Sequence, residues 1–348
     1  MTGGNRLQKL QEIARQTEQV GFSGLVLTET GRTAYLSAAA ATLAAPSLEL
    51  STGIAVAFPR SPMLTAQIAW ELADASEGKF LLGLGTQVKA HIERRYSSTF
   101  EPPGPRLREY VEAVRACFRA FQGSEKLDFK GEHYAMSLLP ANWTPGPIAH
   151  PDIPIYISAV GPWMTRMAGE VADGIHVHPF HSVRYLNEVL LPKVAEGAAR
   201  TGRSVDDVAL AVPVFTVVGD SPEEQAPWRE RAKSQIAFYG STKNYAPVLT
   251  HHGWDDVSPR LNERLKAGDQ DGMRDLISDE MVERYCVVGA WDELSDKLVE
   301  RYQGVADRVV MYFAFADWRR DPSSFDRWSE VARDVLARTA EAGAGAST

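Results

Sequence analysis

Several short segments of this chain hold residues whose types could do chemistry, each where an apolar run gives way to small or polar residues. Glu29 closes GLVLTE (24–29); a carboxylate there could hydrogen-bond a ring system, orient a substrate, or simply cap a loop. In STGIA (51–55), Gly53 interrupts an otherwise β-compatible run, which marks a bulge, a close backbone approach to a ligand, or packing against a bulky neighbour. GLGTQ (83–87) ends an apolar run with two glycines and Thr86, a turn that lets backbone amides near a cofactor. It lacks the further Gly-x-x-Gly step of a dinucleotide fingerprint. His91 follows on as a polar contact or a solvated side chain.

Two further segments suggest anion and metal chemistry. ISAVGP (157–162) places small residues at a strand end and Gly-Pro at a helix start, exposing free N–H groups beside the positive end of a helix dipole. That arrangement suits a phosphate. Because Pro162 lacks a donor, the binding amides would be those of Ala159, Val160, Gly161 and Trp163. In HVHPFH (176–181), read as part of a strand over 174–180, His176 and His178 share one face. Such a pair could start a zinc site in a hydrolase barrel, but zinc needs more ligands and no strand end supplies them, so substrate or cofactor contact is the preferred reading.

The elements that must position these groups alternate. Short apolar runs at 24–27, 48–58, 80–85, 155–159, 174–180, 208–219 and 307–315 read as strands, and amphipathic stretches between them as helices. This is the βα rhythm of a parallel barrel, whose ligands bind where strands end. Pro213 inside 208–219 suggests a bulge or an edge position. The rhythm is broken at 122–153, where LDFKGEHYAMS has the pattern of a small β-ribbon turning at Gly131, and at 220–305, which reads as mostly helical. The first helix begins so near Met1 that the first barrel strand is apparently missing, through truncation or otherwise. The whole is expected to be one domain, 1–348, with a core at 5–315, a closing helix from 323 and a frayed tail, AGAGAST.

Composition narrows the function. With 37 basic and 45 acidic residues the net charge is −8, which disfavours nucleic acid and anionic membrane as partners. Two cysteines, Cys117 and Cys286, are too few for a disulfide framework and fit a reducing, cytoplasmic setting. No run reaches the roughly 18 apolar residues that span a bilayer. An unpaired strand edge would favour a homodimer.

Taken together, GFSGLVLTE (21–29), STGIAVAFPRSPMLTAQIAW (51–70), GKFLLGLGTQVKAHIERR (78–95) and PIYISAVGPWMTRMAGEVADGIHVHPF (154–180) resemble the luciferase-like monooxygenase family. The likeness is greatest to its coenzyme F420-dependent branch. It implies an α/β, TIM (β/α)8-type barrel with insertions after the fourth and seventh family strands. It also implies an oxidoreductase that moves a hydride between the deazaflavin F420 and a small organic substrate; FMN, in a flavin monooxygenase, is the alternative. A non-proline cis peptide is implied at Gly53-Ile54, an acidic group beside the ring at Glu29, a turn under the ring at Gly85 and Thr86, and a phosphate site at Ser158, Ala159, Val160 and Gly161. His178 and His91 become candidates for proton transfer, with Glu29 orienting ring or substrate. The family's first strand usually contributes a substrate-side residue, which this reading does not find.

Overall fold

The computed structural model describes residues 1–345, with side chains to residue 340; the end of the expected tail, residues 346–348, lies outside the described residues. The chain forms two compact units, Met1–His176 with Lys193–Ala209, and Val177–Pro192 with Leu210–Thr348.

The first unit opens with a correction. A strand, β1 (Thr2–Gly3), precedes α1 (Leu7–Val20) and pairs in parallel with β2 (Gly24–Thr28), Thr2 opposite Leu27. Two residues with no apolar run carry no periodic signal, so it escaped notice. Then follow α2 (Ala34–Ala44), β3 (Glu49–Thr52), β4 (Ala55–Val56), α3 (Pro62–Ala75), β5 (Phe80–Gly85), α4 (Lys89–Arg94) and α5 (Pro103–Gln122). The expected strand at 48–58 is thus split in two, and the split falls at a cis peptide bond, Gly53-Ile54. Helix α3 begins with Pro62 in its first turn, and the Ser61 hydroxyl accepts from Leu64 N–H.

The excursion at 122–153 contains the expected ribbon, β6 (Phe129–Lys130) antiparallel to β7 (Ala135–Met136). The Glu109 carboxylate ties its turn by accepting from the N–H groups of Glu132, His133 and Tyr134. The unit continues through β8 (Ile155–Ser158), α6 (Pro162–Val171) and β9 (Gly174–His176). Its strand order is β1-β2-β3-β5-β8-β9, parallel throughout, with β4 on β5. All six residues of β5 are buried, as expected of a strand covered on both faces.

After β9 come α7 (Val183–Tyr185), a π-helical turn at 186–190, and α8 (Leu191–Arg200). In the second unit β10 (Ala209–Val218) is followed by α9 (Pro222–Gly240), α10 (Ala246–Thr250), α11 (Val257–Ala267), α12 (Gln270–Asp275) and α13 (Asp279–Tyr285). Next are β11 (Cys286–Gly289), α14 (Trp291–Tyr302), β12 (Arg308–Met311), α15 (Ala314–Arg320) and α16 (Ser324–Gly345). Strand β10 pairs with β12 over Ala211–Val214 and with β11 over Phe215–Val218.

Three further expectations change here. The run 220–305 is helical except for β11, a strand the helical reading passed over. The last strand is shorter than 307–315, because Ala314 already begins α15. Pro213 makes neither bulge nor edge: β10 runs unbroken, with Pro213 opposite Val310. The Leu210 and Val214 carbonyls take the N–H of Asp307 and Tyr312, so alternation along the strand directs the proline's missing donor away from β12. The core of this unit gathers Phe180, Phe215, Trp228, Tyr285 and Phe313.

Candidate functional site

The ends of β3, β5 and β8 bring three expected site residues together. A Cβ built on Gly85 would lie 2.6 Å from Ser158 Oγ and 2.8 Å from Ile54 Cδ1, so only glycine fits against these two side chains without displacing them. Two residues earlier on β5, a Cβ on Gly83 would lie 1.7 Å from the Thr52 carbonyl oxygen and 2.6 Å from His176 Nε2. The Thr52 hydroxyl makes that approach possible. It donates to the Gly83 carbonyl at 2.8 Å and accepts from Gly83 N–H at 2.9 Å, pinning the end of β3 to β5. Gly53 packs beside Val26 and the His176 ring.

The segment after the cis bond is held by an ion pair that sequence reasoning missed. Glu29 Oε2 accepts from Val56 N–H at 2.7 Å and from Arg60 Nη1 at 3.0 Å, while Arg60 Nη2 reaches Oε1. Arg60 Nη1 also donates to the Val56 carbonyl at 2.8 Å, and its guanidinium lies over the Tyr35 ring. The Glu29 side chain is 4% exposed. The Glu29 carboxylate is therefore already engaged, by Arg60 and by the backbone at Val56. Arg60 is 31 residues from Glu29 in the chain, so only the fold reveals this partnership.

The phosphate segment is arranged as a helix start. Ala159 is buried, Val160 is 37% exposed, and Gly161, at φ +86°, has open space where a Cβ would stand. Gly161 is the N-cap of α6 with no side-chain cap, so the first N–H groups of that helix are free of the usual capping bond. Trp163 lies against Gly104 at the start of α5. Thr86 Oγ1 donates to the Gln87 carbonyl at 3.0 Å. His91 sits exposed on α4.

The histidine pair requires a correction. Strand β9 ends at His176, so His176 and His178 do not share a strand face. His176 is buried, with Nε2 3.0 Å from Ser51 Oγ and its ring against Tyr156, and it fills the space left by Gly53 and Gly83. The pairing on which the zinc reading relied does not form. Among the described residues no three His, Cys, Asp or Glu side chains are grouped as metal ligands.

His178 belongs to the second unit. Its Nδ1 accepts from Phe180 N–H at 3.2 Å, which leaves Nε2 as the protonated nitrogen. His181 Nδ1 is 3.0 Å from the His178 carbonyl and Nε2 faces the Tyr302 hydroxyl. Burial, with the neighbouring imidazole, lowers His178 to about 3; burial lowers His181 to about 4. His178 is thus a neutral hydrogen-bond donor, and the near-neutral titration that suggested proton transfer does not apply to it.

A stability prediction follows. Both folded-state values lie below the unfolded value of about 6.5, so the unfolded chain takes up these protons first as pH falls. The stability from keeping both rings neutral is complete above about pH 6.5 and is lost as pH falls to about 4 for His181 and about 3 for His178, at about 1.4 kcal/mol per pH unit per group. Calorimetry should show the thermal midpoint falling through this window, less steeply in His181→Gln than in the parent. An unchanged slope in the variant would contradict the assignment.

Residues 1–308 match the family model described as luciferase-like monooxygenase. The chain belongs to the luciferase-like monooxygenase family. A protein of Mycobacterium tuberculosis described as uncharacterised is 41% identical to this luciferase-like chain, over 90% of it and 92% of the relative. The 5,10-methylenetetrahydromethanopterin reductase of Archaeoglobus fulgidus is 28% identical over 82% of this chain and 83% of its own. Among solved structures, the coenzyme F420 dependent tetrahydromethanopterin reductase of Methanopyrus kandleri superposes with a TM-score of 0.77 at 21% identity, covering 96% of each chain. The luciferase-like chain therefore has the TIM-barrel-type α/β fold of its family and is an oxidoreductase. No helix among the described residues is long and apolar enough to cross a membrane.

Proposed function

We propose that this luciferase-like protein transfers a hydride between coenzyme F420 and a small organic substrate. The observation that carries the reading is the convergence of Ile54, Gly85 and Ser158, packed so closely that no Cβ fits on Gly85. A flat ring would lie against the surface that these three strand ends share. The start of α6 suits the cofactor's phosphate: Ser158, Ala159, Val160 and Gly161 lead into a helix whose dipole and uncapped N–H groups favour an anion. Gly53 and Thr86 would flank the ring, and Glu29 and Arg60 would hold the 54–60 backbone in place.

The deazaflavin, when bound, supplies the two-electron chemistry; the protein's part is orientation and exclusion of water. A reductase among the relatives at 28% identity favours hydride transfer over oxygen chemistry. The test is a titration of purified protein with oxidised F420, reduced F420 and FMN, followed by gel filtration and absorbance. Retention of F420 in stoichiometric amount is expected, lost in Gly85→Ala. Retention of FMN alone would overturn the cofactor and point to a flavin monooxygenase on the same fold.

A further inference from the structure

The second unit holds a small cavity, of about 270 Å³, that the proposed reaction does not use. Ser182, Arg184, Glu280, Glu283, Arg284 and Arg301 line it, all of them residues of that unit. Its size falls just short of the roughly 300–1,000 Å³ of ordinary ligand pockets, so its occupant is small. Two of its charges are met within the protein: Arg184 pairs with Glu188 at 3.0 Å, and Glu283 with Arg229 at 3.3 Å. The other two guanidinium groups have no carboxylate partner among the described residues. Arg301 donates to the backbone carbonyls of Glu283 and Cys286. Arg284 bonds to nothing among them, although Glu280 stands one turn before it on α13.

Ser182 brings a buried hydroxyl to the same cavity, with the residue 3% exposed. Its Oγ accepts from Tyr185 N–H at 3.1 Å and lies 2.8 Å from His252 Nε2. When the imidazole donates from Nε2–H, both oxygen lone pairs are filled and the hydroxyl proton is left to offer. The field around this serine is positive. Burial first, then Arg284, His251 and Arg184, lower His252 to about 4, with Glu188 opposing them. Burial, with Arg301 adding to it, likewise lowers neighbouring His181 to about 4. Both imidazoles are therefore neutral near pH 7. On the cavity wall, the unpaired groups are two guanidinium cations, Arg284 and Arg301, against one carboxylate, Glu280.

We propose that this cavity is a binding site for a phosphate group, free or carried on a small metabolite, held by Arg284, Arg301 and the Ser182 hydroxyl. It stands apart from the F420 reading, whose anion site is the start of α6. Phosphate is preferred to carboxylate because of where the donors come from. One guanidinium fork matches a flat carboxylate. Here Arg284 lies on α13, Arg301 on α14 and Ser182 just before α7, so the donors reach the cavity from three separate elements. A tetrahedral oxyanion uses all three.

The experiment uses the full chain at low ionic strength, with inorganic phosphate, glycerol 3-phosphate and acetate as probes. Binding is read by calorimetric titration and by NMR of the His252 imidazole, whose signal is assigned by its loss in His252→Gln. Both phosphates are expected to bind saturably and to move that signal, and acetate to bind at least tenfold more weakly. Tighter inorganic phosphate assigns the free ion; tighter glycerol 3-phosphate assigns an ester. Arg284→Gln should weaken both at least tenfold, with Arg284→Lys recovering part of the loss. Neither variant should move the thermal midpoint by more than about 2 °C, since the side chain has no partner to lose. Arg333→Gln, exposed on α16, should bind as the parent does. No saturable binding, acetate binding as well as phosphate, or parent affinity in Arg284→Gln would overturn the proposal. Phosphate that binds without moving the His252 signal sits elsewhere, as at the start of α6, and would overturn it too.

Discussion

Arg60→Ala is expected to destabilise this protein by about 3–5 kcal/mol, the cost of leaving a buried charge without its partner. Glu29 is almost fully enclosed and meets Arg60 through both carboxylate oxygens. Without the guanidinium, only Val56 N–H would remain to satisfy it. The same change frees the 54–60 backbone, because Arg60 also bonds the Val56 carbonyl. F420 affinity should therefore fall together with stability. Glu29→Leu with Arg60→Met removes both charges and should recover most of the loss, short of about 1–3 kcal/mol for the unpaired Val56 N–H. Urea unfolding of the two single variants and the double variant forms the necessary cycle. A loss below about 1 kcal/mol in Arg60→Ala, the range of exposed pairs, would show that the clamp is not a buried ion pair.

Two alanine substitutions, two residues apart on β5, are expected to fail in different ways. In Gly83→Ala the new methyl meets the Thr52 carbonyl oxygen at 1.7 Å, and that backbone is fixed by the Thr52 hydroxyl bridge. Neither strand can retreat without breaking the β3–β5 ladder, so the loss should reach or exceed the usual 1–3 kcal/mol of overpacking, roughly. In Gly85→Ala the methyl meets side-chain atoms, Ser158 Oγ and the Ile54 side chain, which can turn aside. Stability should change by about 1 kcal/mol or less, yet Ser158 and Ile54 are pushed from the positions where they would border the ring. F420 affinity should drop at least tenfold, a change of about 1.4 kcal/mol. The pair is read by thermal unfolding and absorbance titration side by side. Equal stability losses, or full F420 affinity in Gly85→Ala, would contradict the cradle.

The sites legible in the sequence were those where one residue type is forced by its neighbours along the chain. Gly53, Gly85 and Gly161 stand out because a glycine in or beside an apolar β-run is costly unless space or conformation demands it. The cis bond at Gly53-Ile54 and the grouping of Ile54, Gly85 and Ser158 came from the family resemblance, and both occur in the structure. His91, by contrast, stands exposed on the short helix after β5. The two-residue strand β1 and the early end of β9 were hidden, because strands this short have no period to read.

Local patterning by itself determined the alternation of strands and helices, the all-buried β5 and the strand-end glycines, because these depend on residues a few positions apart. Partnership was decided only in three dimensions. Nothing near Glu29 in the chain announces Arg60, nothing near Thr52 announces Gly83, and His176 and His178 look equivalent until one pairs with Ser51 and the other stacks on Tyr245. Hydrogen bonds and ion pairs act over about 3 Å whatever the sequence separation, so the chemistry of a buried polar group is set by the neighbour that folding delivers.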